Sequence, residues 1–550
     1  MGNIVSRRDF MRGAASAGAM FAVGGMVAGC AAAPEPKGTL SEVSWDKEVD
    51  AVVIGSGTGL YTALKLHDLG NEVLVLEKSD MPGGSTAISG SVVWAVNNAL
   101  MQKEGIADSR EEGLEYIKIG SGDTYAPELA EVFVDTINET CDEISRLAGV
   151  EWMIAKGRMD YRSELPGGKG PGRAIHPVLE KEGGSSAGLL GTALIAAVEA
   201  AGIEMMLSTP ATRLVTRMQP DGSIEVIGVT AQAKSGAINI RARKGIVLAA
   251  GGFDWNEAML THYVRGPVYG SWGVPQATGE GQKMAMAIGA DMQLMTGAWW
   301  SPGHKVDFEK ARKDQVPGSA AAINDCIRRG SICVNKSGKR FMNEASDYDS
   351  LGRVFCSRDC GPEVRGWTHL PAYLICDATT VAKYPMGKGA KPGEPGAVYT
   401  HYDSIEALAV GIGIDPAALK KTVDEFNANA QEGIDPEFGR GQDEFGQEYL
   451  RVDFDFEGAK RTLAPLETPP FYASEIVPVV LGTMGGVHVD AKAQAQHVDG
   501  SAIGRLYAQG NNAGVGVGGE FYAGAGATIA PGLAFGGIAA KEIAALEAWV

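Results

Sequence analysis

A short glycine-rich segment, residues 55–59 with the sequence GSGTG, is the first part of the chain whose residue types point to a definite chemistry. Glycines lack a Cβ, so the backbone of such a turn can approach a pyrophosphate closely, and the N-terminus of a following helix complements the phosphate charge. Glu77 stands about 20 residues after the first glycine, the usual place for an acidic side chain that accepts hydrogen bonds from ribose hydroxyls. The pattern therefore predicts a dinucleotide site.

The elements that must position this site form a strand–helix–strand unit. Residues 49–54 (VDAVVI) are typical of a buried parallel strand, and residues 72–76 (EVLVL) predict a second one. A helix is predicted between them, from the glycine turn to about Leu69, with Gly70 ending it. The usual spacing of such turns is GxGxxG, but here the third glycine comes one residue early, which predicts a turn one residue shorter.

Four further segments occur in an order that indicates FAD. Residues 82–86 (PGGST) resemble the segment that wraps the pyrophosphate and flavin in the flavoprotein superfamily of fumarate reductases and succinate dehydrogenases. The others are a strand entering a glycine turn at 245–253, a helix start at 278–281 and a late strand at 506–512. The resemblance implies FAD rather than NAD as the tightly held cofactor. It assigns the cofactor contacts to Gly55, Ser56, Gly57, Gly59, Glu77, Lys78, Gly83, Gly84, Ser85, Thr86, Gly90, Ala211, Ala250, Gly251, Gly252, Gly510, Asn511, Thr528 and Ile529.

The composition bounds what else the chain could do. Its 550 residues predict two or three domains, and 45% hydrophobic with 21% charged residues is typical of a folded globular protein. A net charge of −18 argues against nucleic-acid binding. The seven cysteines form neither a CxxC pair nor a CxxCH haem site, so no metal site, disulfide framework or covalent haem is expected. No histidine lies in the early segment where some relatives attach FAD, so the FAD is expected to be non-covalent.

The N-terminal residues are predicted to be an export signal. Residues 6–12 (SRRDFMR) resemble a twin-arginine motif, and the apolar run at 13–29 is too short to favour a permanent membrane span. Residues 27–30 (VAGC) resemble a lipobox in which Cys30 would carry a lipid, and ordinary cleavage near 31–33 is the alternative. We expect export by the twin-arginine route to the periplasm or cell surface, with a membrane anchor if the lipobox is used.

Three tyrosine-containing segments distinguish between members of the superfamily. The segment GKRFMNEASDY resembles the RFxNE segment of fumarate reductases, but it ends at Tyr348, where those enzymes place an arginine. The segment YAGAGATIAP, which starts at Tyr522, resembles YPGAGxTIGP of the 3-ketosteroid Δ1-dehydrogenases, and Ala523 stands where fumarate reductases carry a second arginine. The stretch DYRSELPGG around Tyr161 resembles a tyrosine-containing stretch of the same dehydrogenases. Because both arginines that would hold a dicarboxylate are absent, the chain is more similar to the steroid dehydrogenases.

Some positions depart from this pattern. Ala523 replaces the proline of the steroid dehydrogenases, Ala530 replaces a glycine, and Arg162 stands where a second tyrosine is frequent. His176 lies in a segment similar to a histidine-containing one of the reductases, and we interpret it as a packing or flavin-contacting residue. These departures leave the fold and cofactor predictions unchanged.

The resemblance covers nearly everything after about Trp45 and predicts an α/β fold. A Rossmann-like FAD-binding domain would be built from two pieces, residues 46–307 and 484–550. An inserted α+β catalytic domain, residues 308–483, would close over the flavin as a cap, and residues 1–37 would hold the signal and a linker.

The chemistry that the resemblance implies is the removal of two hydrogens from adjacent carbons beside a ketone. A hydride would leave C1 for the flavin N5, and Tyr348 would take the proton from C2 with help from Tyr161. The Tyr522 hydroxyl and the Gly526 backbone N–H would stabilise the negative charge that develops on the C3 oxygen. Trp299 and Trp300 could line an apolar slot for a steroid, although core packing is the commoner use of such residues.

The sequence is also compatible with two other functions. The same groups could run the reverse reaction, as in an exported enoate or enone reductase that uses an external electron donor. A flavin-bearing electron carrier or binding lipoprotein without turnover is the second alternative, and the three tyrosines argue against it. Because no haem or iron–sulfur motif is present to reoxidise the flavin, a 3-ketosteroid dehydrogenase would need an external acceptor such as a quinone or a small redox carrier.

Overall fold

The computed structural model describes residues 43–179, 181, 184–361 and 366–549. Its strands are, in chain order, β1 (Lys47–Ile54), β2 (Val73–Leu76), β3 (Val93–Trp94), β4 (Trp152–Ile154), β5 (Ala174–Pro177), β6 (Glu204–Met206), β7 (Ala211–Met218), β8 (Ile224–Ala233), β9 (Gly236–Leu248), β10 (Met292–Gln293), β11 (Ala298–His304), β12 (Ser331–Asn335), β13 (Arg358–Asp359), β14 (Gly366–Trp367), β15 (Ala372–Asp377), β16 (Thr400–Tyr402), β17 (Phe471–Thr483), β18 (Gly486–Val487), β19 (Gln494–Gln496) and β20 (Ala502–Ala508). Its α-helices are α1 (Gly59–Asp68), α2 (Ala99–Glu104), α3 (Arg110–Ser121), α4 (Pro127–Ala148), α5 (Leu189–Ala200), α6 (Glu257–Tyr263), α7 (Glu280–Met286), α8 (Lys305–Asp314), α9 (Ala321–Ile327), α10 (Tyr348–Arg353), α11 (Ala378–Lys383), α12 (Ile405–Gly411), α13 (Pro416–Glu432), α14 (Glu444–Glu448) and α15 (Ile529–Ala545).

The larger sheet has a parallel centre made of buried apolar strands. β1 lies between β2 and β9, with Val53 opposite Val75 on one side and Val247 on the other, and β20 continues the parallel arrangement along β9. The residues of β2 and the C-terminal half of β1 are all buried, which explains why these strands are continuous apolar runs rather than alternating ones. This sheet confirms the predicted α/β class and the predicted strand–helix–strand unit.

Helix α1 connects the two predicted strands of that unit. It starts at Gly59, directly after the glycine turn, and Gly70 follows it with a φ of +82°. α1 packs against the C-terminal helix α15. A Cβ on Gly536 of α15 would lie 2.3 Å from Thr62 Oγ1, so a glycine at this position allows the two helices to approach closely.

A second, antiparallel sheet is built from strands of the middle of the chain. Its order is β11–β17–β15–β12, with β16 also paired to β17. β11 pairs with β17 from Ala298 opposite Thr483 to His304 opposite Ile476. Since β11 comes before residue 308, the sheet does not coincide with the predicted inserted segment, and the domain boundaries stay a prediction.

Two observations bear on the membrane. Within the described ranges, no helix has both the length and the apolar character needed to cross a bilayer. The predicted twin-arginine motif and the lipobox with Cys30 lie outside the described residues.

Candidate active site

A cleft of about 500 Å³ opens at the edge where the parallel strands end. Ile54 is paired with Leu76 on one side and with Leu248 on the other, and Leu248 is paired with Ala508, so four strand ends form one row across the sheet. The residues that follow these strand ends line the cleft: Gly55, Glu77, Ala249 and Gln509. A crevice at the carboxyl ends of parallel strands is where α/β sheets bind their ligands.

Most of the predicted cofactor contacts come together in this cleft. The lining includes Gly55, Ser56, Gly57, Glu77, Lys78, Gly84, Ser85, Thr86, Gly90, Ala211, Ala250, Gly251, Gly252, Gly510, Asn511, Thr528 and Ile529. Gly59 and Gly83 do not line it. A Cβ on Gly59 would lie 2.9 Å from the Cβ of Ala249, and one on Gly83 would lie 2.5 Å from the Cβ of Ala87, so these two glycines permit close packing beneath the cleft.

The glycine turn has the features of an anion site. Gly55 has a φ of +108°, and a Cβ there would lie 2.3 Å from the carbonyl oxygen of Ala249. The backbone amides of Gly57 and Thr58 donate no hydrogen bond to another described residue, and no acidic side chain occupies the first turn of α1. Free N–H donors at the positive end of a helix favour a phosphate group.

Glu77 is held in place and keeps capacity for a further hydrogen bond. Its Oε2 accepts from the Ser56 amide at 3.1 Å and from the Ser56 hydroxyl at 2.6 Å, and its Oε1 accepts from the Ser79 amide at 2.7 Å. A carboxylate has about four acceptor sites, so one remains for a ribose hydroxyl. The turn, this acceptor and the glycine-lined wall together fit FAD.

Lys78, the next residue, contacts another predicted segment. Its Nζ donates to Glu280 Oε1 and to Thr278 Oγ1, both at 2.7 Å. The ammonium is therefore already paired with a carboxylate, and it ties the start of α7 to the end of β2.

Three tyrosines from separate parts of the chain converge beside the cleft. The ring centroids of Tyr161 and Tyr348 are 5.1 Å apart, those of Tyr161 and Tyr522 are 5.1 Å apart, and those of Tyr348 and Tyr522 are 5.4 Å apart, all edge-on. The Tyr348 hydroxyl donates a hydrogen bond of 2.6 Å to the Tyr522 hydroxyl. Tyr348 and Tyr522 line the cleft, whereas Tyr161 lies behind them.

The Tyr161 hydroxyl is buried and makes no hydrogen bond with a described residue. It contacts Tyr348 and Tyr522 through ring edges, and its hydroxyl acts to lower the pKa of Tyr348, so its part as the partner of Tyr348 stays a prediction. Its backbone is fixed by the Tyr161 amide, which donates to the carbonyl oxygen of Ala523 at 3.0 Å. That contact ties Tyr161 to the segment that carries Tyr522.

Burial sets the acid–base character of the tyrosines. It raises the pKa of Tyr348, and the neighbouring hydroxyls of Tyr161 and Tyr522 and the positive charge of Arg451 act in the opposite direction. Burial also raises the pKa values of Tyr161 and Tyr522 well above their ordinary value. The neutral phenols therefore dominate at neutral pH, and proton removal by Tyr348 needs a stabilised phenolate.

Gly526 supplies a second donor next to Tyr522. Its φ is +92°, and a Cβ there would lie 2.6 Å from the carbonyl of Val92, so only glycine fits. The Gly526 amide donates to no other group in the part of the chain that the structure covers. Tyr522 and Gly526 both line the cleft, an arrangement suited to a developing oxyanion.

Five further residues line the cleft beside the tyrosines or add charge to it. Trp272 and Trp299 flank the tyrosines, with ring centroids 5.9 Å from Tyr348 and 5.0 Å from Tyr522 respectively. The others with charged side chains are Arg158, Asp254 and Arg451. Sequence reasoning had named Trp299 as a residue that could line a substrate slot, whereas Trp272 and the three charged residues lie in no short motif that would have identified them.

The remaining sequence candidates lie outside the cleft. His176 is buried, and its Nδ1 contacts the carbonyl oxygen of Pro177 at 2.7 Å, in agreement with a packing residue. Arg162 is half-exposed and pairs with Glu164. Trp300 packs in the core, whereas Trp299 reaches the cleft.

Comparisons with known proteins agree with this geometry. The family described as "FAD binding domain" matches residues 50–529. A 3-oxosteroid 1-dehydrogenase of Mycolicibacterium smegmatis is 30% identical over 91% of this chain and 98% of its own length. A 4-oxocyclohexanecarboxylate 2-dehydrogenase of Sinomonas cyclohexanicum is also 30% identical, over 90% of this chain and 92% of its own length. The crystal structure of 3-ketosteroid Δ1-dehydrogenase from Sterolibacterium denitrificans, in complex with 1,4-androstadiene-3,17-dione, superposes with a TM-score of 0.81 at 30% identity, covering 91% of this chain and 100% of that one.

Proposed function

Because the chain belongs to the FAD-binding family that includes the 3-oxosteroid 1-dehydrogenases, we propose that it is an FAD-dependent dehydrogenase that introduces a double bond next to a ring ketone. A 3-ketosteroid is the substrate that the relatives favour. The observation that carries the proposal is the pair of hydrogen-bonded tyrosines, Tyr348 and Tyr522, at the wall of a cleft that fits FAD.

Each group of residues in the cleft has a separate role in the proposed reaction. When bound, FAD supplies the acceptor for the hydride. The Tyr522 hydroxyl and the Gly526 amide donate to the ketone oxygen and stabilise the negative charge that develops as the adjacent carbon loses its proton. Tyr348 acts as its phenolate, after its own proton has passed to solvent, and its oxygen takes the proton from the substrate carbon. The Tyr522 oxygen accepts from the Tyr348 hydroxyl in this structure, and its single O–H donates to the ketone oxygen.

A phenol is a useful base only if its phenolate is stabilised. Burial works against the phenolate of Tyr348, whereas the Tyr161 and Tyr522 hydroxyls and the Arg451 charge work for it. Because the Tyr348 and Tyr522 hydroxyls are hydrogen-bonded, their titrations are coupled and an apparent pKa belongs to the pair rather than to one residue. Tyr161 is a positioning residue that packs against both other rings.

The electron acceptor and the location of the protein are further parts of the proposal. A quinone or small redox carrier would reoxidise the flavin, since the sequence carries no haem or iron–sulfur motif. Export is supported by the residues 6–12 and the apolar run after them, and lipidation by the sequence around Cys30. Replacing Arg7 and Arg8 with lysine should keep the precursor in the cytoplasm, and mass spectrometry of the exported protein tests for the lipid.

Anaerobic titration of the flavin tests the proposed reaction. Adding a 3-keto-4-ene steroid to the oxidised protein should bleach its yellow colour and release the 1,4-diene product, and Tyr348→Phe should prevent both. Absence of bleaching with the steroid and with 4-oxocyclohexanecarboxylate would contradict the proposal. Reoxidation of chemically reduced protein by fumarate, urocanate or a cinnamate-type acid, without any dehydrogenation, would favour the reductase alternative.

A further inference from the structure

Two arginines line the cleft without an acidic partner. In the part of the chain that the structure describes, the side chains of Arg158 and Arg451 form no salt bridge and donate no hydrogen bond. Most other arginines near the site are engaged: Arg173 pairs with Asp108 and Asp160, for example. Neither Arg158 nor Arg451 contributes a buried, unpartnered nitrogen, so both guanidinium groups are accessible from the cleft and free to pair with an anion that enters it.

The fold joins the two loops that carry these arginines, and both arginines line the same cleft. Arg158 follows Gly157, and Arg451 follows Leu450. The Leu450 amide donates a hydrogen bond of 3.0 Å to the carbonyl oxygen of Gly157, which joins the two loops directly. Gly157 has a φ of +67°, and a Cβ there would lie 2.9 Å from the Cβ of Leu450, so glycine is required for this approach.

The charged groups elsewhere in the cleft do not neutralise the pair. Glu77 is held by Ser56 and Ser79 near the glycine turn, and Glu280 is paired with Lys78. Asp254 accepts from the Ser271 hydroxyl at 2.5 Å, and burial raises its pKa to about 6. None of these carboxylates contacts either arginine.

The surroundings place the pair at the tyrosine end of the cleft. The positive charge of Arg158 acts on Tyr449, Tyr161, Tyr348 and Tyr522, and that of Arg451 acts on Tyr348. Tyr449 itself lies 5.5 Å below the guanidinium of Arg451 and has a buried hydroxyl that bonds to no described residue. The arginines therefore face the region where the ketone would react and not the glycine turn.

We propose that Arg158 and Arg451 bind a carboxylate of the substrate, so that the molecule oxidised is a keto acid rather than a neutral ketone. The proposal rests on the proposed function for the identity of the reacting ketone. Arginine is suited to this part because its planar fork pairs with a carboxylate through two parallel hydrogen bonds. The arrangement also differs from the two arginine positions of the fumarate reductases, which are occupied here by Tyr348 and Ala523.

Pairs of acids and esters test the proposal on the FAD-loaded protein. The first pair is 4-oxocyclohexanecarboxylate and its methyl ester, and the second is 3-oxochol-4-en-24-oic acid and its methyl ester, in which the carboxylate lies farther from the ketone. In at least one pair the acid should have a kcat/KM higher than that of the ester by roughly 10- to 100-fold, the range of one or two charge-assisted hydrogen bonds. Arg158→Met and Arg451→Met should each reduce this acid-to-ester ratio by about tenfold or more.

Two further variants make the comparison specific. Arg158→Lys keeps the charge and should keep part of the ratio, which separates loss of the carboxylate contact from local misfolding. Arg162→Met removes an arginine from the same loop that is already paired with Glu164, and it should leave the ratio unchanged. FAD content is measured in every variant, because loss of flavin with Arg158→Met or Arg451→Met would mean that the arginines serve the cofactor and would overturn the proposal.

A binding measurement without turnover separates this proposal from the proposed function. By calorimetry, cyclohexanecarboxylate should bind more tightly than cyclohexanecarboxamide, and the difference should vanish with Arg158→Met. If no ketone is dehydrogenated but this difference holds, the proposed reaction fails and the carboxylate site stands. The carboxylate site is overturned if acid and ester react equally well in both pairs, if the ratio survives in both methionine variants, or if acid and amide bind equally.

Discussion

Replacing Tyr348 with phenylalanine keeps the ring in the cluster and removes the hydroxyl that donates to Tyr522 at 2.6 Å. The loss of stability should be small. Both hydroxyls belong to residues that line the cleft, where water can replace the missing partner, so the cost is about 1 kcal/mol, at the low end for an orphaned polar group. Thermal unfolding should shift by less than about 2 °C in a chain of this size.

The loss of activity should be much larger, because the variant has no proton acceptor at this position. A positioned acid or base is worth roughly two to four orders of magnitude in rate, which corresponds to about 3–5 kcal/mol of activation free energy. The difference between these two magnitudes identifies a chemical role, since a fold weakened by about 1 kcal/mol still remains almost fully populated. Binding of the ketone should persist through Tyr522 and Gly526.

The assay is steady-state turnover of a 3-keto-4-ene steroid, together with exchange of the C2 proton in deuterated water on reduced protein. Tyr161→Phe is the matched control for the stability measurement, because it removes a buried hydroxyl that makes no hydrogen bond in the described structure and should leave stability unchanged or slightly raised. If Tyr348→Phe retains C2 exchange and near-normal turnover, another residue is the base and the reasoning from the tyrosine cluster is wrong.

Three other perturbations have defined outcomes. Gly57→Val should abolish retention of FAD, because a side chain would enter the space of the pyrophosphate; a full complement of flavin in the purified variant, measured by absorbance, would contradict the assignment of that turn. Asp254 has a folded-state pKa of about 6, above its unfolded value near 4, so its contribution to stability is present below about pH 4 and is lost as the pH rises through 6. Asp254→Asn should therefore raise the free energy of unfolding by up to about 3 kcal/mol at pH 8 and by little at pH 4, as measured by denaturant titration. Glu344→Gln leaves Arg340 and Arg440 buried without their shared carboxylate and should cost about 3–5 kcal/mol, and a shift in the denaturation midpoint near zero would show that the network relaxes.

Local sequence predicted those structural features whose physical constraints act between residues close together in the chain. The glycine turn, Glu77 at the end of β2, and the strands on either side of α1 follow from close backbone approach and from apolar runs buried on two faces. The same holds for the segments after β9 and β20, because parallel strands bring their ends to one edge. Residue types and spacing therefore predicted a dinucleotide-binding cleft, and the resemblance to known motifs selected FAD and the three tyrosines.

The contacts within the site depend on chain segments that are distant in sequence, and only the tertiary structure decided them. The hydrogen bond joins Tyr348 to Tyr522 and leaves Tyr161 without one, which no motif could indicate. Neither Arg158 nor Arg451 lies in a known motif, and the sequence alone gives no reason to interpret either one as more than a surface cation. One backbone hydrogen bond joins their loops, and the fold supplies neither arginine with a carboxylate. Two cations from distant segments therefore line one cleft, and this proximity is visible only in the tertiary structure.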